Sequence, residues 1–404
     1  MEETIYFGEF NMSKKFAWVV CSIIGLSLSG GFAIAAPAIT AVSGTVGNGQ
    51  SVTISGSGFG TKSRAAPIKF DMFENGTAGS SLNSRDSSWV VYECANGGIP
   101  NPNCDRKGAL YYNTYARSGN LSVGRHIVNY ENFNTNHFTY SPPTQEMFIS
   151  YWWRTANADT NDDSIVKMSR INSSPAAGGS QGSTAIPFYN GSGNTSLGGT
   201  FNFSNGSGPY CAFNNGVNMS ELFYSNGVAY LAAPPKNTWI RVEMYKKLST
   251  AGVNNGSIFI NMLGVDSASN TSAMTRASGY SFLLDTVLLG TEDGRGAQDD
   301  GTGGLHNYDI FLDDMYIDST QARVEICNTS TWSARTACDA QPATAWSAGS
   351  ITFTVNSGPA SASPNRYLYV VDSTGAVNAN GRPITIDGTS TIKVPSAPGN
   401  LSVH

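Results

Sequence analysis

Charge is scarce in this chain. Asp, Glu, Lys and Arg make up only 13% of its 404 residues and sum to a formal −5. No basic run interrupts that balance, which argues against a nucleic-acid partner gripped through its phosphates. Helical periodicity is also missing: no long stretch places apolar residues at i, i+3, i+4 and i+7. What is present is 44 glycines, with Asn, Ser and Thr crowding the loops. That composition suits an extracellular all-β protein, and the length suggests two or three domains.

The start of the sequence reads as an export signal. Lys14 and Lys15 precede an apolar run from Phe16 to Leu28, and Ala33-Ile34-Ala35 supplies a small-residue cleavage site. Residues 1–35 are therefore expected to be an N-terminal extension and signal peptide, with Met12 as a natural start. The mature form is expected outside the cytoplasm, secreted or periplasmic, without an integral membrane segment. In an oxidising compartment, Cys94 would pair with Cys104 and Cys327 with Cys338, each closing a short loop. Cys211 is left over and reads as a buried thiol.

Two short strands follow, "AITAVSG" and "SVTISGSGFG", and two strands cannot bury a core. Further β-rich runs appear only after Asp318: "ARVEICN", "GSITFTVNSG", "RYLYVVDSTG" and "RPITI". These two pieces together resemble the IPT/TIG type of immunoglobulin-like domain, through Gly56, Gly58, Phe59 and Gly60 at a glycine-rich corner and the later "VVDSTG" turn. The resemblance implies a sandwich split between residues 36–66 and 321–386. Residues 387–404 form a linker-like tail whose "PSAPGNLSV" resembles the opening of a fibronectin type III module.

The insertion, residues 67–320, offers many short strand candidates and no helix. Its "FDMFENG", "SYWWRT", "WIRVEMY" and "FLDDMYID" resemble the concanavalin A-like lectin/glucanase superfamily, which includes lectins, glucanases and polysaccharide lyases. The implied architecture is a jelly-roll β-sandwich nested within an immunoglobulin-like β-sandwich. The same resemblance implies a structural Ca²⁺ clipping the first strand to the last, with Glu74, Asp313 and Asp314 as ligands; hard carboxylate oxygens suit that ion.

Alternation along "IRVEMYKK" puts Ile240, Val242 and Met244 on one face and Arg241, Glu243 and Tyr245 on the other. In "MFISYWWRT", Ile149, Tyr151 and Trp153 share a face, which would leave Trp152 and Arg154 to join the polar row. A cation, a carboxylate, a phenol and an indole in one row could bind a polysaccharide or surface glycan, the indole stacking on a sugar face. The glucanase pattern Glu-x-Asp-x-x-Glu is absent. The expectation is a non-catalytic, lectin-like protein on Trp152, Arg154, Arg241, Glu243 and Tyr245. One alternative is a polysaccharide lyase or glycoside hydrolase, in which Arg241 would neutralise charge and Tyr245 act as base, with His126 and His137 in reserve. The other is a structural adhesin module.

Overall fold

The computed structural model describes residues 35–91, 95–96, 99–100, 108–128, 136–156, 165–174, 184–189, 235, 237–276, 278–289, 292–293, 307–358 and 365–386. Its first strands are β1 (Ala38–Ser43), β2 (Ser51–Ser57), β3 (Lys69–Asp71), β4 (Val90–Val91), β5 (Ala95–Asn96), β6 (Ile99–Pro100), β7 (Leu110–Tyr112) and β8 (Ser122–Val128). Then come β9 (Asn136–Thr144), β10 (Glu146–Ala156), β11 (Ile165–Asn172), β12 (Thr184–Tyr189), β13 (Ile240–Lys247), β14 (Gly256–Met262), β15 (Asp266–Ala273) and β16 (Leu284–Leu288). The last are β17 (Glu292–Asp293), β18 (Asn307–Asp318), β19 (Arg323–Cys327), β20 (Cys338–Gln341), β21 (Ala343–Trp346), β22 (Ser350–Thr354), β23 (Asn365–Val371) and β24 (Arg382–Thr385).

The middle of the chain builds a two-sheet jelly roll. One sheet runs β15-β14-β13-β10-β18-β8-β7, with β3 also on β18; the other runs β12-β11-β16-β9-β4, with β17 on β11. Alternation decides what lies between them. Met147, Ile149, Tyr151 and Trp153 of β10 and Val242 and Met244 of β13 face Ile171, Val287 and Phe138 of the second sheet. The expected core face of both central strands is thus observed.

The two ends of the chain build the other sandwich. β2 pairs with β22, some 300 residues away, in the sheet β1-β2-β22-β21, and a second sheet runs β20-β19-β23-β24. Val52, Ile54, Ile351 and Phe353 meet Val324, Ile326, Leu368 and Val370 in its core. Phe59 fills that core from the glycine-rich corner, where Gly58 and Gly60 take φ of +71° and +69°, a region closed to most side chains. Cys327 and Cys338, register partners on β19 and β20, are disulfide-bonded. Cys94, Cys104 and Cys211 lie outside the described residues.

The sandwiches are joined face to face by a repeated tripeptide. β13 carries Arg241-Val242-Glu243 and β19 carries Arg323-Val324-Glu325; each valine enters its own core. The charges cross over, Arg241 to Glu325 at 3.5 Å and Arg323 to Glu243 at 3.7 Å, all four buried. Phe148, Tyr245, Tyr316 and Ala340 form an apolar patch at the same junction, and Lys62 reaches Asp318 at its edge.

Candidate functional site

The junction removes the expected glycan platform. Glu243 and Tyr245 are 0% and 1% exposed, Arg241 2% and Trp152 3%, because a second sheet, not solvent, covers that face. The Arg241 guanidinium donates to the Cys338 carbonyl and to Ser150 Oγ. Tyr245 donates to Glu146, and burial together with that carboxylate pushes the phenol far up, the wrong direction for a base. The Trp152 indole N–H donates to Asp339 at 3.2 Å while Arg117 covers its ring at 3.8 Å. Arg154, half-buried, stacks on Tyr115 and donates to the Asn237 carbonyl. The expectation that these five residues offer an open saccharide surface is corrected: they hold the two sandwiches and the 113–121 loop together.

The outer face of the other sheet gathers a different set. Ile171, Val287 and Phe138 pair in register and point into the core, so their neighbours point out. One row reads Arg170, Leu288, His137, Val90, and the adjacent row Asn172, Thr286, Thr139. Arg170 and Leu288 are buried, His137 and Asn172 half-buried, Thr139 exposed and Val90 50% exposed, so the rows run from covered to open. At the usual strand spacing, Arg170 and His137 stand about 10 Å apart at the backbone, a span that side chains from both ends can close on one sugar ring.

Burial holds the His137 imidazole below its ordinary value of 6.5, so the ring is neutral at pH 7 and able to take a proton. Asn172 Oδ1 is buried without a hydrogen bond. The one described carboxylate on β16, Asp285, accepts from Ser174 N–H, Ser174 Oγ and Thr286 Oγ1 and is fully used. This face thus carries a cation, an amide and an imidazole, while the side chains of Glu292 and Asp293 on β17 of the same sheet lie outside the described set. The side chain of His126, on β8, lies outside the described set.

The expected calcium ligands divide. Asp313 is committed elsewhere: its Oδ2 accepts the N–H groups of Arg117 and Ser118 and its Oδ1 that of Asp314. Glu74 Oε1 accepts from Asn120 and Leu121 N–H, and Asp314 Oδ1 from Ser118 Oγ at 2.6 Å, so both carboxylates hang on one loop, Arg117–Leu121. Asp314 Oδ2 is buried with no donor, and burial pushes that carboxyl up to about 6. Asp314 and Phe73, next to Glu74, both hold positive φ, 50° and 54°, which is costly for either residue. Glu74 and Asp314 are thus tied to the same loop, while Asp313, its oxygens already accepting three backbone N–H groups, is not free to join them.

No family model matches this chain, and no curated protein matches it. Among solved structures it is similar to the alginate lyase Aly36B, with 14% identity over 63% of this chain and 98% of that one, at a TM-score of 0.40. It is also similar to an endo-β-1,4-glucuronan lyase from the fungus Trichoderma reesei, with 15% identity over 60% and 93% and a TM-score of 0.38. A marine PL-14 alginate lyase from Aplysia kurodai gives 9% identity over 52% and 86%, with a TM-score of 0.36.

Proposed function

We propose that this protein is a polysaccharide lyase acting on a uronate-containing polymer, with His137 as base and Arg170 and Asn172 as the groups that engage the substrate carboxylate. The observation that carries the reading is the placing of His137, Arg170 and Asn172 on one outward sheet face, on two strands that flank β16. Hydrolysis of a glycoside needs two carboxylates across the sugar ring. β-Elimination needs a neutralised carboxylate, which makes the C5 proton acidic, and one base. The C5–H bond breaks with its proton passing to the imidazole, the C4=C5 double bond forms, the C4–O glycosidic bond breaks, and the departing oxygen takes a proton from water. A guanidinium and an amide are suited to the first task and a neutral imidazole to the second.

Incubation with polyuronates and neutral polysaccharides tests this. The expected result is new unsaturated ends from a polyuronate. New reducing ends without unsaturation would make the protein a hydrolase, and retention of polymer without either would return it to lectin-like binding.

Three further assignments accompany the reading. The protein is exported, supported by the N-terminal signal pattern and by the buried Cys327–Cys338 disulfide, which suits an oxidising compartment. The smaller sandwich is an IPT/TIG-type module that braces the jelly roll and contributes no catalytic residue. Calcium is proposed at Glu74 and Asp314, bracing the Arg117–Leu121 loop. Because an ion that binds only the folded state adds stability by mass action, saturating Ca²⁺ should raise the melting temperature, by about 2.7 kcal/mol of stability at a hundredfold excess over Kd. Glu74→Ala should abolish the increment. Equal melting in Ca²⁺ and in chelator would remove the ion.

A further inference from the structure

The two connectors between the sandwiches meet at one buried pair. Lys62 lies between β2 and β3, where the chain leaves the smaller sandwich, and Asp318 ends β18, where the chain returns to it. Their side chains are 1% and 0% exposed, and Lys62 Nζ stands 2.5 Å from Asp318 Oδ2 across 256 residues of sequence. Lys69, by contrast, bridges to Asp86 with 18% of its side chain still in solvent.

Closure to solvent changes what this pair can do. Burial holds the Lys62 ammonium below its ordinary 10.5 and the Asp318 carboxyl above its ordinary 3.8, each against the pull of the other. Both shifts favour an uncharged amine beside a carboxylic acid, and a desolvated lysine amine is a nucleophile. The carboxyl is held from both sides. Ser319 N–H donates to Oδ1 at 2.8 Å, and the buried Tyr316 hydroxyl, kept protonated by burial and by the Asp318 charge, donates to Oδ2 at 2.7 Å. Lys62 Nζ also donates to the Ala65 carbonyl, at 3.1 Å. An amide formed here by loss of Oδ2 would keep two of these partners, its N–H on Ala65 and its C=O under Ser319 N–H. The polar groups of the product are thus matched in advance, in a site closed to the water that would reverse the reaction.

We propose that Lys62 and Asp318 become joined by an isopeptide bond, a self-made cross-link at the neck of the inserted jelly roll. The Nζ lone pair attacks Cγ, the Nζ–Cγ bond forms, and Oδ1 takes the negative charge against Ser319 N–H. The Cγ–Oδ2 bond then breaks. Oδ2 departs as water with one proton from the carboxylic acid and one from the amine, the latter relayed by the Tyr316 hydroxyl. Nothing is oxidised or reduced, and the fixed contact of the two groups takes the place of an activated acyl donor. The bond would close the jelly roll into a covalent ring through its two ends. It does not rest on the elimination chemistry.

Mass spectrometry of the full chain, folded first and then denatured with its disulfide reduced, tests the proposal. The wild-type protein should be lighter than its processed sequence by one water. Protease digestion should release the Lys62 and Asp318 peptides as a single branched species. Lys62→Arg, which keeps the positive charge and lacks the nucleophilic amine, should show the full mass and two separate peptides. Recovery of Lys62 and Asp318 on separate peptides from folded wild type would leave an ordinary buried ion pair and overturn the proposal, a result that needs no variant to fold. A loss of water that persists in Lys62→Arg would place the modification elsewhere and overturn it equally.

Discussion

His137→Ala should lower kcat on a polyuronate by about 10²- to 10⁴-fold, the usual contribution of a positioned base. Melting should change little, because the imidazole is half-buried on an outward row and is not part of the core. Asn172→Ala should act differently, raising KM and lowering kcat together, since a carboxylate partner serves both substrate binding and the stabilisation of charge at elimination. The pH profile gives a separate readout. A base must be unprotonated, and burial depresses the His137 value, so the acid limb of kcat/KM should fall below pH 6.5, where an ordinary histidine would place it. An acid limb at or above that value, or a His137→Ala enzyme of normal turnover, would remove the imidazole from the reaction.

Why the sequence pointed to a covered face can be followed residue by residue. β10, β13, β14 and β22 alternate strongly, and their inward residues were legible down to Trp153 against Trp152. β15, "DSASNTSA", has almost no apolar side chains; it is an edge strand held by its backbone ladder to β14, and such a strand leaves no pattern to find. β9, "NHFTYSPPT", carries two prolines and mixes Thr, His and aromatics, so it reads as a loop, although it carries His137. The row of Arg170, His137 and Asn172 comes from two strands about thirty residues apart and lines up only through β16 between them. Single-strand alternation cannot reveal it. The polar row on β13 failed for another reason: alternation separates two faces but cannot tell water from a second charged sheet. One signal was available. Arg-Val-Glu occurs on β13 and again on β19, and two strands with the same charge order can exchange partners reciprocally when their outer faces meet.

That exchange makes Glu325 the residue whose loss should harm the fold most. It is 0% exposed, bonded to Arg323 Nε and 3.5 Å from Arg241, so Glu325→Ala would leave the buried Arg241 without its carboxylate and Arg323 with only the longer contact to Glu243. Removing one partner of a buried pair typically costs about 3–5 kcal/mol, far more than the pair itself contributes, because the remaining charge has lost both water and its counter-ion. Burial pushes the Glu325 carboxyl upward, but the Arg323, Arg241 and Arg335 guanidiniums outweigh it and hold the group below its ordinary 4.5. A depressed carboxylate contributes stability above that value and loses it as the pH falls through the lower folded value. Denaturant titration of wild type should therefore show a fall in stability below pH 4.5 that is smaller in Glu325→Ala. Replacing both members, Glu325→Leu with Arg323→Met, should recover part of the loss, since an apolar pair of similar volume carries no desolvation cost. A Glu325→Ala cost under about 1 kcal/mol, the level of an exposed pair, would show that water reaches the junction and that the two sandwiches are not sealed by these charges.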